Sequence, residues 1–163
     1  MGRPVKVAKR RDVHERALGL LAVRARSRRE LERRLLQAGF HADEVDTELV
    51  RLDRVGLIDD AAFARQLAQQ AFGPGAKGRR AVASALFAKG VDPEVTASTV
   101  EELGGDEDQR ALDLASARAN RLTGIDPQKA FQRLSGLLLR RGYTPEVARS
   151  AARRALASDT VED

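Results

Sequence analysis

The sequence predicts an all-α protein, an elongated array of three tandem three-helix repeats. The first observation is a helix stop that occurs at Gly39, Gly90 and Gly142, with spacings of 51 and 52 residues. The second is that apolar residues downstream stay in step with each glycine, as Leu49 and Val100 do ten residues later. The third is that no segment alternates between apolar and polar residues as a surface strand does. A unit recurring at a period of about 50 residues is typical of repeat proteins.

The stop at Gly90 shows why this pattern ends one helix and starts another. Glycine takes a left-handed conformation at a helix end without the steric penalty of a Cβ atom. The next residue, Val91, can then fold back on Leu86 and close a Schellman motif. Asp92 suits the N-cap of the following helix, and Pro93 suits its first position, where a missing N–H costs nothing. The sequence therefore predicts two helices joined by a short turn.

The first repeat is predicted to span residues 13–56. Its first helix begins near Val13, and Ser27 with Glu30 three residues later predicts a capping box that opens the second helix. The third helix follows Gly39, and Gly56 repeats the glycine stop. Residues 1–12 carry five basic residues without apolar periodicity, so we expect a disordered basic tail there.

The second and third repeats are predicted to span residues 57–105 and 106–157. In the second, the loop Gly73-Pro74-Gly75 separates the first two helices, and a third runs to Leu103. In the third, Asp126 is expected to cap the middle helix, and Pro145 to open the last one. Residues 158–163 are expected to form a short acidic tail.

Composition narrows the expected function classes. The chain has no cysteine, so it offers no disulfide, thiolate metal site or cysteine nucleophile. Its apolar runs are shorter than the roughly 20 residues that a membrane helix needs, and no signal core follows Met1. We therefore expect a cytoplasmic monomer without membrane contact. The net charge of +5 and the pI near 10.2 favour nucleic acid, or an assembly containing it, as the partner.

Positive charge is concentrated in the middle helix of each repeat. Residues 77–89 and 128–141 each contain four basic residues and no acid, whereas residues 93–103 contain three acids and no base. If the repeats stack with similar orientation, the middle helices form a basic band that suits a polyanionic partner. The predicted binding residues are Arg24, Arg26, Arg28, Arg29, Lys77, Arg79, Arg80, Lys89, Lys129, Arg133, Arg140 and Arg141. The charge reversal chosen to test the band is that of Arg79, Arg80, Arg140 and Arg141. The alternative interpretation is ordinary solubilising charge.

No residues in the sequence form a catalytic or metal-binding pattern, so we expect neither an enzyme nor a bound cofactor. Asp59 and Asp60 point about 100° apart on a helix, which favours a capping role. His14 and His41 have no ligand at metal-binding spacing. The loop before Lys77 lacks the ending of a P-loop, although the helix after it could receive a partner's phosphate or carboxylate.

A helix, a glycine turn and a second helix also describe a helix-turn-helix DNA reader. In the first two repeats, however, the helix after the glycine is net negative, and phosphates would repel it. Sequence-specific reading of DNA is therefore the weaker hypothesis.

Several motifs resemble the RecX family. They are the run Arg24 to Leu31 with Leu35 and Gly39, then Gly56-Leu57-Ile58-Asp59-Asp60 with Phe63-Ala64, then Leu86 with Lys89-Gly90, and Arg140-Arg141-Gly142-Tyr143. The resemblance extends over nearly the whole chain, roughly residues 14–157.

The resemblance implies an all-helical chain of three three-helix repeats that binds the bacterial recombinase RecA and its filament on single-stranded DNA. Members of the family mostly restrain strand exchange, ATP hydrolysis and co-protease activity, and so damp recombination and the SOS response. The family has no catalytic motif to transfer to this sequence. A sequence-independent DNA-binding protein that acts without a recombinase remains the alternative, and direct contact with single-stranded DNA stays open.

Overall fold

The computed structural model describes residues 12–159, and within that range the chain is helical, with no β-strand. The predicted basic tail lies outside the described residues except for Asp12, and so do residues 160–163. The helices are α1 (Val13–Val23), α2 (Arg28–Gln37), α3 (Ala42–Arg54), α4 (Asp60–Phe72), α5 (Arg79–Ala88), α6 (Pro93–Leu103), α7 (Glu107–Ala119), α8 (Pro127–Arg140) and α9 (Pro145–Asp159). A 3-10 turn, Asn120–Leu122, follows α7. The helices form three three-helix repeats in tandem: α1–α3, α4–α6 and α7–α9.

The predicted glycine stops are confirmed. Gly39, Gly90 and Gly142 have φ angles of 90°, 75° and 92°, all in the left-handed region. At Gly90 the N–H of Val91 donates to the Leu86 carbonyl at 3.1 Å, and the N–H of Gly90 donates to the Phe87 carbonyl at 2.9 Å. These two bonds define a Schellman motif.

The predicted N-caps also form. The Ser27 hydroxyl accepts from the Glu30 N–H at 3.2 Å, and Asp92 accepts from the Glu94 N–H at 2.9 Å. Asp126 accepts from the N–H of Lys129 at 3.1 Å. Each bond satisfies a backbone donor that the first turn of a helix leaves unpaired.

Each repeat has a hydrophobic core of its own. In the first, Leu31, Leu35, Leu49 and Leu52 are buried together. In the other two the leucine and valine side chains pack against alanines, which line α4 in the second repeat and both α7 and α9 in the third. Alanine has no Cγ, so these helices pack closely around thin cores.

The chain divides into two compact units, one up to Asp60 and one from Ala61 onward, and the second unit contains both later repeats. Within it, the start of α5 packs on the end of α8. The Gly78 N–H donates to the Arg141 carbonyl at 2.9 Å, and a Cβ atom on Gly78 would overlap the carbonyl of Gly142. A Cβ atom on Gly142 would likewise overlap that of Ala81. The second and third repeats therefore contact each other through backbone that is packed too closely to accept a side chain at Gly78 or Gly142.

Side chains complete this junction. The Tyr143 hydroxyl donates to the Ala76 carbonyl at 2.7 Å. The guanidinium of Arg110 lies 4.7 Å from the centroid of the Phe72 ring, and it donates to the carbonyls of Lys77 and Gly104. The Gly73-Pro74-Gly75 loop region is thus part of the contact between repeats.

Tyr143 offers a spectroscopic test of the junction. It is 1% exposed, so burial raises its pKa, while the nearby Arg110 guanidinium opposes the shift. We expect the phenol to ionise at a higher pH in the folded protein than in guanidinium chloride, where its pKa should be about 10. Stability gained from the neutral phenol is fully present below the unfolded pKa and is lost as pH rises through the folded pKa.

The chain has one tyrosine and no tryptophan, so tyrosinate absorbance reports on Tyr143 alone. Equal ionisation midpoints in the folded and denatured protein would contradict the buried position.

Candidate partner-binding surface

Six of the twelve predicted binding residues have exposed side chains that make no hydrogen bond or ion pair within residues 12–159. They are Arg29, Lys77, Arg80, Lys129, Arg133 and Arg140. Each lies on a middle helix (α2, α5 or α8) or, in the case of Lys77, just before one. Cations without local partners are available to a negatively charged surface.

Five of the other predicted residues are less available. Arg24 forms an ion pair with Glu30, and the Arg28 guanidinium lies 3.8 Å from the Asp46 carboxylate. Arg79 donates to the Glu101 carboxylate at 3.2 Å and to the Gly105 carbonyl at 2.9 Å. The Arg141 guanidinium donates to the Gly75 carbonyl at 2.8 Å, and Lys89 is half-buried. Arg79 and Arg141 therefore help to hold the fold, and reversing their charge would test packing as well as binding.

Arg26 is buried, with 7% exposure. Its Nε donates to the Leu20 carbonyl at 3.1 Å, and its guanidinium donates to the Glu30 carboxylate at 2.7 Å. Arg26 therefore stabilises the turn between α1 and α2, and we exclude it from the proposed binding surface.

The start of α5 is already occupied by an anion from the protein itself. The N–H of Arg79 donates to the Glu107 carboxylate at 2.7 Å, and the N–H of Gly78 is bonded to the Arg141 carbonyl. The hypothesis that this helix end receives a partner's phosphate is therefore not supported. Glu107 is 28 residues away in sequence and comes close to the start of α5 only in the fold, so the sequence alone does not indicate this contact.

Two of the acidic and histidine residues considered in the sequence, Asp60 and His14, contact other parts of the protein through their side chains. The Asp60 carboxylate accepts a hydrogen bond from the Arg28 N–H at 2.8 Å, and His14 Nδ1 lies 2.5 Å from Glu48 Oε1. Within residues 12–159, no three His, Asp or Glu side chains come together as a metal site would require. In the same range, every helix is too short or too polar to cross a bilayer.

A cleft in the third repeat brings four arginines together around an apolar floor. It lies between α8 and the end of α7 with the 3-10 turn, and its volume is about 220 Å³. Its lining residues are Arg118, Arg121, Leu122, Arg133, Leu134, Leu137 and Arg140. Below we call it the arginine cleft.

Sequence reasoning predicted Arg133 and Arg140 but missed Arg118 and Arg121. The sequence does contain a signal for Arg118 and Arg121, because two arginines three residues apart lie on one side of a helix. It was missed because only the middle helices stood out in the distribution of charge.

Each middle helix also exposes a large apolar residue at the same position of its repeat. Leu36, Phe87 and Leu139 lie three residues before their stop glycines and are 42%, 71% and 45% exposed. Arg29 and Arg80 precede the first two by seven residues, so each shares a helix face with its apolar residue. Exposed apolar residues beside cations are a combination found at protein–protein interfaces.

Comparisons with known proteins agree across the chain. Residues 14–52, 59–99 and 106–152 match family models described as the first, second and third three-helix domains of RecX. The chain is also similar to "Regulatory protein RecX" of Amycolatopsis mediterranei (strain U-32), with 39% identity over 130 residues, 79% of this chain and 74% of the relative. The protein of that name from Mycolicibacterium smegmatis is 43% identical over 136 residues, 80% of this chain and 72% of the relative.

The fold is similar to that in a crystal structure of RecX from Lactobacillus salivarius. The TM-score is 0.76 at 21% sequence identity, over 90% of this chain and 95% of the other. At that identity the likeness concerns the fold alone.

Proposed function

The chain belongs to the RecX family of regulatory proteins, and from this premise we propose that it binds the RecA recombinase and its filament on single-stranded DNA. It mostly inhibits the recombinase, ATPase and co-protease activities, and so damps recombination and the SOS response. It acts in the cytoplasm through binding, without catalysing a reaction of its own.

The observation that carries the proposal is the chemistry repeated on the three middle helices. Leu36, Phe87 and Leu139 are exposed at equivalent positions, on helices that also carry free cations. A filament presents the same protein surface again and again beside a polyanion. A chain that exposes an apolar residue and cations on each of its three middle helices suits such a partner, because linked weak contacts bind more tightly together than separately.

The second candidate is a sequence-independent DNA-binding protein that needs no recombinase. The six free cations favour it, since phosphate contacts by Lys and Arg supply most non-specific binding. The exposed apolar residues favour a protein partner over DNA alone, because phosphates gain nothing from contact with leucine or phenylalanine.

Reversing Arg29, Arg80, Arg133 and Arg140 to Glu is expected to abolish inhibition of the RecA ATPase. Arg29 and Arg133 take the place of Arg79 and Arg141 in this test. The four side chains now reversed make no hydrogen bond or ion pair within residues 12–159. Replacing them should barely change stability, since exposed charges contribute about 0–1 kcal/mol. The measurement is ATP hydrolysis by RecA on single-stranded DNA across a titration of the variant, after circular dichroism confirms its helicity.

The matched control reverses four exposed arginines on the third helices of their repeats, α3 and α9. They are Arg51, Arg54, Arg149 and Arg154. The control should inhibit as the parent does. If it loses inhibition and the first variant keeps it, the partner surface lies on the third helices and the proposed surface is incorrect.

A further variant separates the two candidates. Leu36→Ser, Phe87→Ser and Leu139→Ser together should weaken RecA inhibition while DNA affinity without RecA, measured at several salt concentrations, stays constant. Unchanged RecA inhibition in this variant would favour action through DNA alone.

A further inference from the structure

We propose that the arginine cleft is a docking site for a short acidic peptide segment that carries one apolar side chain. The chemical class of the ligand rests on the geometry of the cleft. That the segment belongs to the recombinase rests on the proposed function.

The rim of the cleft is strongly cationic. Arg133 and Arg140 lie two turns apart on one side of α8, and Arg118 and Arg121 come from the end of α7 and the 3-10 turn. None of the four side chains makes an ion pair or hydrogen bond with another part of residues 12–159, and no acid lines the cleft. A guanidinium binds a carboxylate through two parallel hydrogen bonds, so such a rim suits several closely spaced acids.

The floor of the cleft selects for a different group. Leu134 is buried, and Leu122 and Leu137 are half-buried. A charged group pressed onto leucine side chains would lose its water without gaining hydrogen bonds. An apolar side chain gains by leaving water there. Rim and floor together match carboxylates that flank one apolar residue.

The same features disfavour nucleic acid and small molecules. Single-stranded nucleic-acid sites stack bases on aromatic rings, and the described lining contains none. The nearby ring of Phe131 is covered by Arg153, whose guanidinium lies 5.8 Å from its centroid. The volume of about 220 Å³ is below the roughly 300–1,000 Å³ of small-molecule pockets, which suits a side chain of a docked peptide.

The test measures fluorescence anisotropy of a labelled synthetic peptide with four carboxylates around one leucine, titrated with the full chain. A matched peptide has serine in place of leucine, and an oligothymidylate of equal charge is the third probe. Arg118→Gln with Arg121→Gln is expected to lower affinity for the leucine peptide by roughly tenfold or more, because charge-assisted contacts are lost. Arg133→Gln with Arg140→Gln should give a similar loss, and the serine peptide should bind the parent more weakly.

The control is Arg149→Gln with Arg154→Gln, the same charge change on the exposed face of α9 in the same repeat. We expect it to change affinity by less than about twofold, as for exposed charges away from a site. An equal loss in control and cleft variants would overturn the proposal, because overall charge would then explain binding. A loss of oligothymidylate binding alone in the cleft variants would also overturn it and make the cleft a nucleic-acid site.

The RecA ATPase assay tests the proposed function independently of the peptide-binding assay. If the parent chain binds the peptide through the cleft but never alters RecA ATPase activity, the proposed function is wrong. The assignment of an acidic peptide as the ligand of the cleft would still hold. If the parent inhibits RecA while peptide binding does not depend on the cleft arginines, the docking proposal alone is overturned.

Discussion

Replacing Gly142 with alanine is expected to lower the free energy of unfolding of the unit from Ala61 onward by about 2–5 kcal/mol. Two costs contribute. The residue has a φ angle of 92°, and a left-handed conformation costs an L-residue about 1–2 kcal/mol. The new Cβ atom would also overlap the Cβ atom of Ala81 at the junction between repeats, and overpacking costs about 1–3 kcal/mol.

The matched control is Gly124→Ala. Gly124 has a φ angle of 80°, in the same unit, but a Cβ atom there would have no neighbour within 4 Å. It should cost only the conformational term of about 1–2 kcal/mol. Denaturant unfolding followed by tyrosine fluorescence reports on this unit, because Tyr143 is the one tyrosine. Equal losses for the two variants would show that the contact with Ala81 contributes nothing.

Glu30→Ala is expected to destabilise the unit up to Asp60 by about 3–5 kcal/mol. Glu30 is 5% exposed and accepts hydrogen bonds from both Arg24 and Arg26. Arg26 is itself 7% exposed, so removing the carboxylate leaves a buried guanidinium without its counter-charge. The cost arises mainly from that uncompensated charge.

Glu32→Ala is the control, because Glu32 is exposed on the same helix. It should change stability by no more than about 0.5 kcal/mol in denaturant unfolding followed by circular dichroism. A double variant, Arg26→Met with Glu30→Leu, should recover most of the loss, since apolar replacements of a buried ion pair are often neutral or stabilising. A loss in Glu30→Ala as small as that in Glu32→Ala would contradict the buried ion pair.

The fold class, the glycine stops and several N-caps could be predicted because each depends on neighbours in sequence. A left-handed glycine and its two hydrogen bonds involve six consecutive residues, as Leu86 to Val91 illustrate. The cap formed by Asp92 reaches only to Glu94. Such local energetics can be evaluated before any tertiary contact is known.

The candidate site could be predicted only in part. Counting charge identified Arg133 and Arg140, but it treated Arg26 in the same way as Arg29, although one is buried and the other exposed. Whether a cation is free depends on the carboxylates and carbonyls that the fold brings to it. For Arg141 the partner is the carbonyl of Gly75, 66 residues away.

The sequence by itself determined that the chain is helical, that it repeats three times and that its middle helices are basic, because periodicity, helix stops and composition are local properties. The tertiary structure alone decided that the later two repeats form one unit, that Glu107 occupies the start of α5, and that Arg118 and Arg121 join Arg133 and Arg140 around leucines. These outcomes depend on pairing groups far apart in sequence. Such pairing follows from how whole helices pack, since burial and backbone clearance are set by neighbours that no local pattern specifies.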